Sequence, residues 1–264
     1  MTDNKMRTEI LNIDKGQCLT DVLPAIPANT IFDKTITGCG ATHSEIVNAA
    51  RHSIIIEPNI PVILGKKAEH PFLFAVYEGI TKEDVKAYLA GEHDGYRKII
   101  TTPEGFDKKV LPAMHELEIP VYKDYFLLFD ECEKAIQDVG YRGDIYLPVE
   151  DFFKFENKAM VSATPIVPSD PRFEENGFKI LKLVPTYDSR IELTLCTTNN
   201  TVAVMRKLLK RLENETVCVF LNSTETILSL IYALGLQGRS RVFCSEKSCL
   251  LYTSPSPRDS TSSR

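Results

Sequence analysis

Several short segments of the sequence are apolar at every consecutive position. Ile54–Ile56 and Phe126–Phe129 are the clearest of them. A strand of this kind is buried on both faces, which is typical of a parallel sheet that helices cover on both sides. Polar, helix-compatible stretches such as Thr81–Ala90 separate these segments. The alternation predicts an α/β fold with a doubly wound parallel sheet.

The pattern also predicts where the chain divides. The strands expected in the first part are Thr30–Asp33, Ser53–Glu57, Phe72–Val76, Lys98–Thr101, Phe126–Asp130 and Lys158–Ser162. The part expected beyond them has an amphipathic helix at Thr201–Leu212, an apolar strand at Val217–Leu221, a helix at Ser223–Leu234 and a strand at Arg241–Cys244. This second series predicts the opening βαβ of another α/β domain. We therefore expect one domain at residues 1–188 and a partial one at residues 189–248.

The composition changes again at the end of the sequence. Cys249–Asp259 reads CLLYTSPSPRD and is followed by STSSR. A Ser/Pro-rich segment with few apolar residues is typical of a disordered linker. The string also resembles the in-frame translation of a transposase sequencing adapter, as found in metagenomic reading frames. We therefore treat residues 249–264 as an artefactual, disordered tail and expect the natural protein to continue beyond Lys247.

Composition argues against several classes of protein. No apolar run approaches the length of a membrane span, and no apolar core of a secretion signal follows Met1. The seven cysteines contain no Cys-x-x-Cys pair, which argues against a structural zinc site and fits a reducing cytoplasm. The net charge of −5 predicts no global attraction to nucleic acid, although a local basic groove remains compatible with it.

A glycine-rich turn follows the first of these strands. Its sequence is Lys34-Thr35-Ile36-Thr37-Gly38-Cys39-Gly40-Ala41-Thr42. Glycines let backbone amides approach phosphate oxygens, and the N-terminus of the following helix adds a favourable dipole. The Thr42 hydroxyl is placed to ligate Mg²⁺. Taken alone, the turn is compatible with a phosphate-binding loop and with an ordinary glycine turn.

Two further strands end in groups suited to phosphate chemistry. Tyr125–Phe129 leads into Asp130 and Glu131, and Met160-Val161 leads into Ser162-Ala163-Thr164. Ligands bind at the carboxyl edge of such sheets. At that edge Asp130 is placed to hold Mg²⁺ through water, and Glu131 to deprotonate an attacking water. An acidic helix start and a Ser/Thr turn before proline would give similar local sequences.

The order of these motifs resembles the ATPase core of superfamily 2 helicases, the DEAD/DEAH-type family. Glu57-Pro58-Asn59 resembles motif Ia, Thr101–Gly105 resembles motif Ib, and Val217–Ser223 resembles motif IV, which opens the second RecA-like domain. The resemblance covers about residues 18–247. It implies a RecA-like P-loop NTPase sheet, ATP and Mg²⁺ as ligands, and nucleic acid as partner.

The resemblance also implies roles for individual residues. Nucleotide binding falls to Thr37, Gly38, Cys39, Gly40, Ala41 and Thr42. Thr42 and Asp130 would hold Mg²⁺, and Glu131 would be the general base. Coupling of nucleotide state to domain movement falls to Ser162, Ala163 and Thr164. Nucleic-acid contacts fall to Pro58, Asn59, Thr102 and Pro103.

Ala41 departs from the family pattern, because a lysine at this position normally neutralises the β- and γ-phosphates. Three explanations are open. Lys34 takes over that charge from the start of the loop; or the protein binds nucleotide without turnover; or His43, or a lysine from outside this sequence, replaces it. We favour Lys34 as a catalytic residue, because the Asp130-Glu131 pair is intact.

Three functions follow from these motifs. The first is an ATP-dependent helicase or translocase, acting on DNA or RNA in the cytoplasm of a bacterium or encoded by a phage or mobile element. The second is a degenerate helicase-like protein that binds without turnover. A nucleotide kinase is disfavoured, because it explains neither Ser162-Ala163-Thr164 nor a second domain. We expect residues 1–264 alone to show little or no ATPase activity, since the arginine finger of the family would lie beyond them.

Overall fold

A parallel sheet of eight strands organises the first part of the chain. The computed structural model describes residues 6–132, 149–164, 170–190, 193–212, 214–221 and 223–242. The strands are β1 (Thr8–Ile13), β2 (Thr30–Asp33), β3 (His52–Ile56), β4 (Phe74–Val76), β5 (Lys98–Thr101), β6 (Tyr125–Phe129), β7 (Asn157–Ser162) and β8 (Lys179–Pro185). Their order across the sheet is β1-β8-β2-β7-β6-β3-β5-β4, and every pairing is parallel.

Helices connect these strands. Among the described residues of the first part of the chain they are α1 (Leu19–Val22), α2 (Ala41–Val47), α3 (Ile60–Glu69), α4 (Lys82–Ala90), α5 (Pro103–Gly105), α6 (Leu111–Glu116), α7 (Val121–Asp124), α8 (Val149–Lys154) and α9 (Arg172–Glu175). A π-helical segment, Phe106–Val110, joins α5 to α6. The α/β class and the parallel sheet expected from the sequence are confirmed.

Alternate residues of the central strands pack into two separate apolar clusters. Ile54 and Phe129 belong to the cluster that contains α4, the π-helical segment and α6. Ile55 and Leu128 belong to the other, which contains residues of α1 and α2. Both faces of the sheet are therefore covered, which explains why these strands are apolar at every position.

The six strands expected in the first part are present, with ends within two residues of those predicted. β1 and β8 were missed. They pair with each other at one side of the sheet, and β1 alternates exposed with partly buried residues. A strand of this kind lacks the continuous apolar run that identified the others.

Contact density divides the chain into two compact units, Met1–Arg190 and Ile191–Arg264. In the second unit, the described residues form α10 (Thr201–Arg211) and α11 (Thr224–Ala233), close to the two expected helices. The strand predicted at Val217–Leu221 is wrong for the described residues, where Phe220 is 92% exposed and no strand pairing is formed. An apolar segment without a neighbouring strand has no ladder to join.

Other expectations for this part stay predictions. Arg241 and Val242 lie outside any strand, whereas the rest of the strand expected at Arg241–Cys244 and the whole tail at 249–264 lie outside the described residues. Most of the helix-compatible stretch Glu131–Asp138 also lies outside them. The assignment of residues 189–248 to a second RecA-like domain is therefore still based on sequence alone.

Candidate functional site

Four neighbouring strands place polar groups at their carboxyl ends. β2, β7, β6 and β3 are adjacent in the sheet. The backbone N–H of Lys34, just after β2, donates to the carbonyl of Ser162 at the end of β7 (2.9 Å). The N–H of Asp130, just after β6, donates to the carbonyl of Ile56 at the end of β3 (2.9 Å). The sheet itself thus brings together motifs that are far apart in sequence.

Lys34 lies against both acidic residues of the second motif. Its Nζ is 2.9 Å from Glu131 Oε1 and 3.3 Å from Asp130 Oδ1. Burial alone would lower the pKa of Lys34, but the charges of Asp130 and Glu131 and their hydrogen bonds outweigh it and raise that pKa. The ammonium is therefore charged at neutral pH and lies at the carboxyl edge of the sheet, where the sequence predicts a site.

Thr42, in the first turn of α2, contacts Asp130. Its hydroxyl donates to Asp130 Oδ2, and the backbone N–H of Glu131 donates to Asp130 Oδ1 (2.9 Å). Asp130 is only 2% exposed, so its charge is compensated by Lys34 and by these two donors. A hydroxyl and a carboxylate that converge in this way fit Mg²⁺, which is held by one or two protein oxygens with phosphate and water completing its shell.

The glycine loop has the backbone that its sequence requires. Gly38 and Gly40 both have φ in the left-handed region, at 75° and 88°, where side chains other than glycine are strained. Cys39 is buried, and its carbonyl accepts a hydrogen bond from the N–H of Leu19 in α1 (2.8 Å). Ala41, also buried, is the first residue of α2. Ala41 therefore lies where the sequence motif places the missing lysine.

Two residues in or next to the charged cluster also have left-handed backbones. Thr35 has φ of 40° and Glu131 has φ of 51°. Such conformations cost a non-glycine residue about 1–3 kcal/mol each and concentrate at functional sites. At Thr35, the N–H donates to Asp33 Oδ1 and the hydroxyl to the Leu183 carbonyl, which hold the turn that delivers Lys34.

The Ser-Ala-Thr motif begins at the last residue of β7, directly beside Lys34. Ser162 is fully buried, and its hydroxyl accepts a hydrogen bond from the N–H of Thr164 (2.9 Å). Ala163 is partly buried and Thr164 is exposed. The motif thus has one end in the sheet and the other at the surface, and its role in coupling stays a prediction.

Glu57 belongs to the same edge, although the resemblance to motif Ia implied roles only for its neighbours Pro58 and Asn59. It follows β3 and is 1% exposed. Burial raises its pKa to about 7, and the nearby charge of Asp130 acts in the same direction, while hydrogen bonds from Asn59 oppose the shift. A carboxyl placed directly after an apolar strand was the available signal, since Asp130 has the same local context.

The residues expected to contact nucleic acid lie in two different settings. Pro58 and Asn59 are partly exposed at the start of α3. Thr102 and Pro103 are buried at the start of α5, where the Thr102 hydroxyl accepts the N–H of Gly105 (3.0 Å). Thr102 and Pro103 therefore have a structural role, and contact of any of the four with nucleic acid stays a prediction.

His43 is paired with another histidine in this structure. Its Nδ1 is 3.2 Å from Nε2 of His70, which follows α3. Lys34 Nζ, by comparison, lies 3.3 Å from Asp130 Oδ1 and 2.9 Å from Glu131 Oε1. Of the two local substitutes for the lysine, Lys34 therefore has the contacts with the acidic pair.

A second buried charge network fixes the helix that follows the glycine loop. Glu45 of α2 is fully buried; its carboxylate accepts from Arg51 Nε (3.0 Å) and Nη2 (2.5 Å) and from the Ser53 hydroxyl, and Lys98 Nζ lies 3.6 Å away. The Arg51 guanidinium also stacks over Phe126, 3.4 Å from the ring centroid. These contacts join α2 to β3, β5 and β6.

No protein-family model matches the sequence, and no curated protein matches it either. Solved structures do resemble the fold. The DUF1998 helicase MrfA has a TM-score of 0.53 at 14% identity, over 82% of this chain and 38% of MrfA. The helicase domain of Pyrococcus furiosus Hef has a TM-score of 0.38 at 14% identity, over 93% of this chain and 48% of the Hef chain.

This chain thus spans less than half the length of either helicase structure. Within the described part, no helix is both long and apolar enough to cross a membrane. The all-parallel sheet, its helices on both faces and the likeness to MrfA show that the chain has an α/β, RecA-like fold of the kind found in helicases.

Proposed function

We propose that the chain is the nucleotide-binding part of an ATP-dependent helicase or translocase of the superfamily 2 type, acting on DNA or RNA. The observation that carries this proposal is the position of Lys34, whose Nζ contacts Asp130 and Glu131 at 3.3 and 2.9 Å. A cation, two carboxylates and a glycine loop at one carboxyl edge are the groups that phosphoryl transfer from a nucleotide requires.

In this proposal Lys34 replaces the lysine absent at position 41. Without nucleotide, the ammonium neutralises Asp130 and Glu131. With nucleotide bound, the same ammonium would neutralise phosphate charge, and Glu131 would be released to orient and deprotonate the attacking water. Thr42 and Asp130 would hold Mg²⁺, which supplies charge neutralisation of the phosphates when bound.

A second function is favoured by one specific contact. The Glu131 carboxylate accepts a hydrogen bond from Lys34 at 2.9 Å, and a base held by a cation is a weaker proton acceptor. If that contact persists when nucleotide is bound, the protein binds nucleotide without turnover. Both functions require the nucleotide to bind at this edge, and they differ in the hydrolysis step.

The direct test is nucleotide binding by Lys34→Ala. We expect the affinity for a fluorescent ATP analogue with Mg²⁺ to fall about tenfold or more, because a charged contact to phosphate is lost. Lys66→Ala is the matched control, since Lys66 lies on α3 in a surface pair with Glu69 (2.8 Å). Thermal unfolding of each variant is recorded, because Lys34→Ala also leaves two carboxylates without their cation.

Unchanged binding by a folded Lys34→Ala protein would refute the role of Lys34. Failure of the unmodified chain to bind the analogue would refute the proposed function itself. Turnover separates the two functions: hydrolysis stimulated by nucleic acid in a longer protein that contains this sequence supports the helicase, and binding without turnover supports the degenerate protein. The length of this chain relative to MrfA makes the longer protein the appropriate one for that assay.

A further inference from the structure

Glu57 holds the start of α3 through its side chain. Its Oε1 accepts two hydrogen bonds from Asn59, one from the backbone N–H and one from Nδ2, both at 2.8 Å. The carboxyl is almost completely buried, and Asn59 is partly exposed. A buried acceptor thus fixes the orientation of a side chain that reaches the surface.

The backbone around Glu57 connects this contact to two other loops. The Glu57 N–H donates to the carbonyl of Thr101, immediately before the predicted nucleic-acid loop at Thr102 (2.9 Å). The carbonyl of Ile56 accepts the N–H of Asp130 (2.9 Å). The end of β3 is therefore bonded directly to the edge that contains the candidate catalytic carboxylates.

Asn59 does not use its side chain as its position would suggest. It is the N-cap residue of α3, where an asparagine oxygen ordinarily accepts an N–H of the first helical turn. Its side chain makes no such capping bond, and its amide donates to Glu57 instead. The structure thus favours the link to Glu57 over a local cap.

We propose that Glu57 is a positioning residue that couples the surface loop Pro58–Asn59 to the Asp130–Glu131 edge. This inference rests on the proposed function, because it takes that loop as a contact for the nucleic-acid backbone. A phosphate bound at the Asn59 amide displaces the loop, the Glu57 contact transmits the displacement to the end of β3, and the bond from Asp130 to Ile56 carries it to the nucleotide. The acceptor oxygen of Glu57 is the essential feature, and its charge is not.

The proposed coupling is measured as the effect of a bound ATP analogue on the affinity for an oligonucleotide. The affinity for a short fluorescein-labelled single-stranded oligonucleotide, as DNA and as RNA, is determined with and without a non-hydrolysable ATP analogue and Mg²⁺. The ratio of the two affinities is the coupling factor, and reciprocity requires the oligonucleotide to change analogue affinity by the same factor. We expect a factor of about five or more for the unmodified chain, within the usual range of coupled sites.

Three variants separate position from charge. Glu57→Gln keeps an oxygen that can accept both Asn59 donors, so we expect the coupling factor to be retained. Glu57→Ala removes the contact, so the factor should fall towards one while analogue binding persists. Asn59→Ala removes the contact together with the amide proposed to meet phosphate, so the factor and the oligonucleotide affinity should both fall. The double variant should lose no more than either single one. Asn176→Ala is the matched control, since that amide is bonded to Lys158 and Arg172 instead.

Each outcome decides the inference. A factor near one for the unmodified chain, with both ligands bound, overturns the coupling and leaves nucleotide binding intact. An equal loss in Glu57→Gln and Glu57→Ala overturns the role of the acceptor, because charge alone would then explain it. The same loss in Asn176→Ala would show a general effect of destabilisation. No binding of either ligand by the unmodified chain overturns the proposed function, and the inference with it.

Discussion

Removal of the Glu45 carboxylate should strongly destabilise the first unit. Glu45 is 0% exposed and is the common partner of Arg51 and Lys98. Glu45→Ala leaves those two cations without their buried counter-charge, and breaking a buried pair from one side costs about 3–5 kcal/mol. For a unit of this size, each kcal/mol lowers the melting temperature by roughly 2–4 °C. The expected decrease is therefore about 6–20 °C, measured by circular dichroism at pH 7.

Glu69→Ala is the matched control. Glu69 is also a helical glutamate paired with a lysine, but its side chain is 60% exposed, and surface pairs contribute about 0–1 kcal/mol. A second comparison combines Glu45→Ala with Lys98→Met, which removes one of the uncompensated cations and should restore part of the loss. A decrease for Glu45→Ala as small as that for Glu69→Ala would refute this account of the network.

The change with pH in the stability loss of Glu45→Ala provides a further test of the network. Burial lowers the pKa of Lys98 to about 8, although the charge of Glu45 acts in the opposite direction. Between that value and about 10.5, the unfolded chain binds more protons than the folded one, so stability gains a contribution from Lys98 as pH rises. Without Glu45 the pKa of Lys98 should fall further. The deficit of Glu45→Ala should therefore shrink between pH 7 and about pH 9.

Three other variants test the site and its surroundings. Glu57→Gln should stabilise the protein by up to about 3 kcal/mol at pH 8 and hardly at pH 4, below the unfolded pKa of about 4.5, because the raised pKa of Glu57 makes its ionisation unfavourable in the folded state. Equal effects in denaturant titrations at both pH values would contradict this. Gly105→Ala should destabilise the protein by about 1–3 kcal/mol, since the added Cβ would lie 2.5 Å from the buried hydroxyl oxygen of Thr101. Gly65→Ala is the control in thermal unfolding and should be neutral or stabilising, because the space around that position is open. Ala41→Lys should restore part of the analogue binding lost in Lys34→Ala, and no gain would show that the loop cannot use a lysine at position 41.

Local sequence was sufficient for most of the first unit. Runs such as Ile54–Ile56 predicted central strands, because consecutive apolar residues satisfy a sheet buried on both faces. Gly38 and Gly40 predicted the loop, since its backbone needs left-handed conformations. β1, with polar residues between its apolar ones, gave no comparable signal. The prediction of a strand at Val217–Leu221 was wrong for a related reason. An apolar sequence shows that a segment can be buried, but it does not show that a neighbouring strand is present to pair with it.

The question raised by Ala41 shows the limit of sequence reasoning most clearly. The sequence determined that a lysine is missing from the loop and that Lys34 and His43 are the nearby substitutes. Lys34 and Glu131 are 97 positions apart, and only the pairing of β2 with β7 and of β7 with β6 brings them within 2.9 Å. The burial of Glu57 and the Glu45 network arise in the same way. Periodicity and turn residues act over a few positions, whereas contacts between charges depend on which strands become neighbours, and that is decided by tertiary structure.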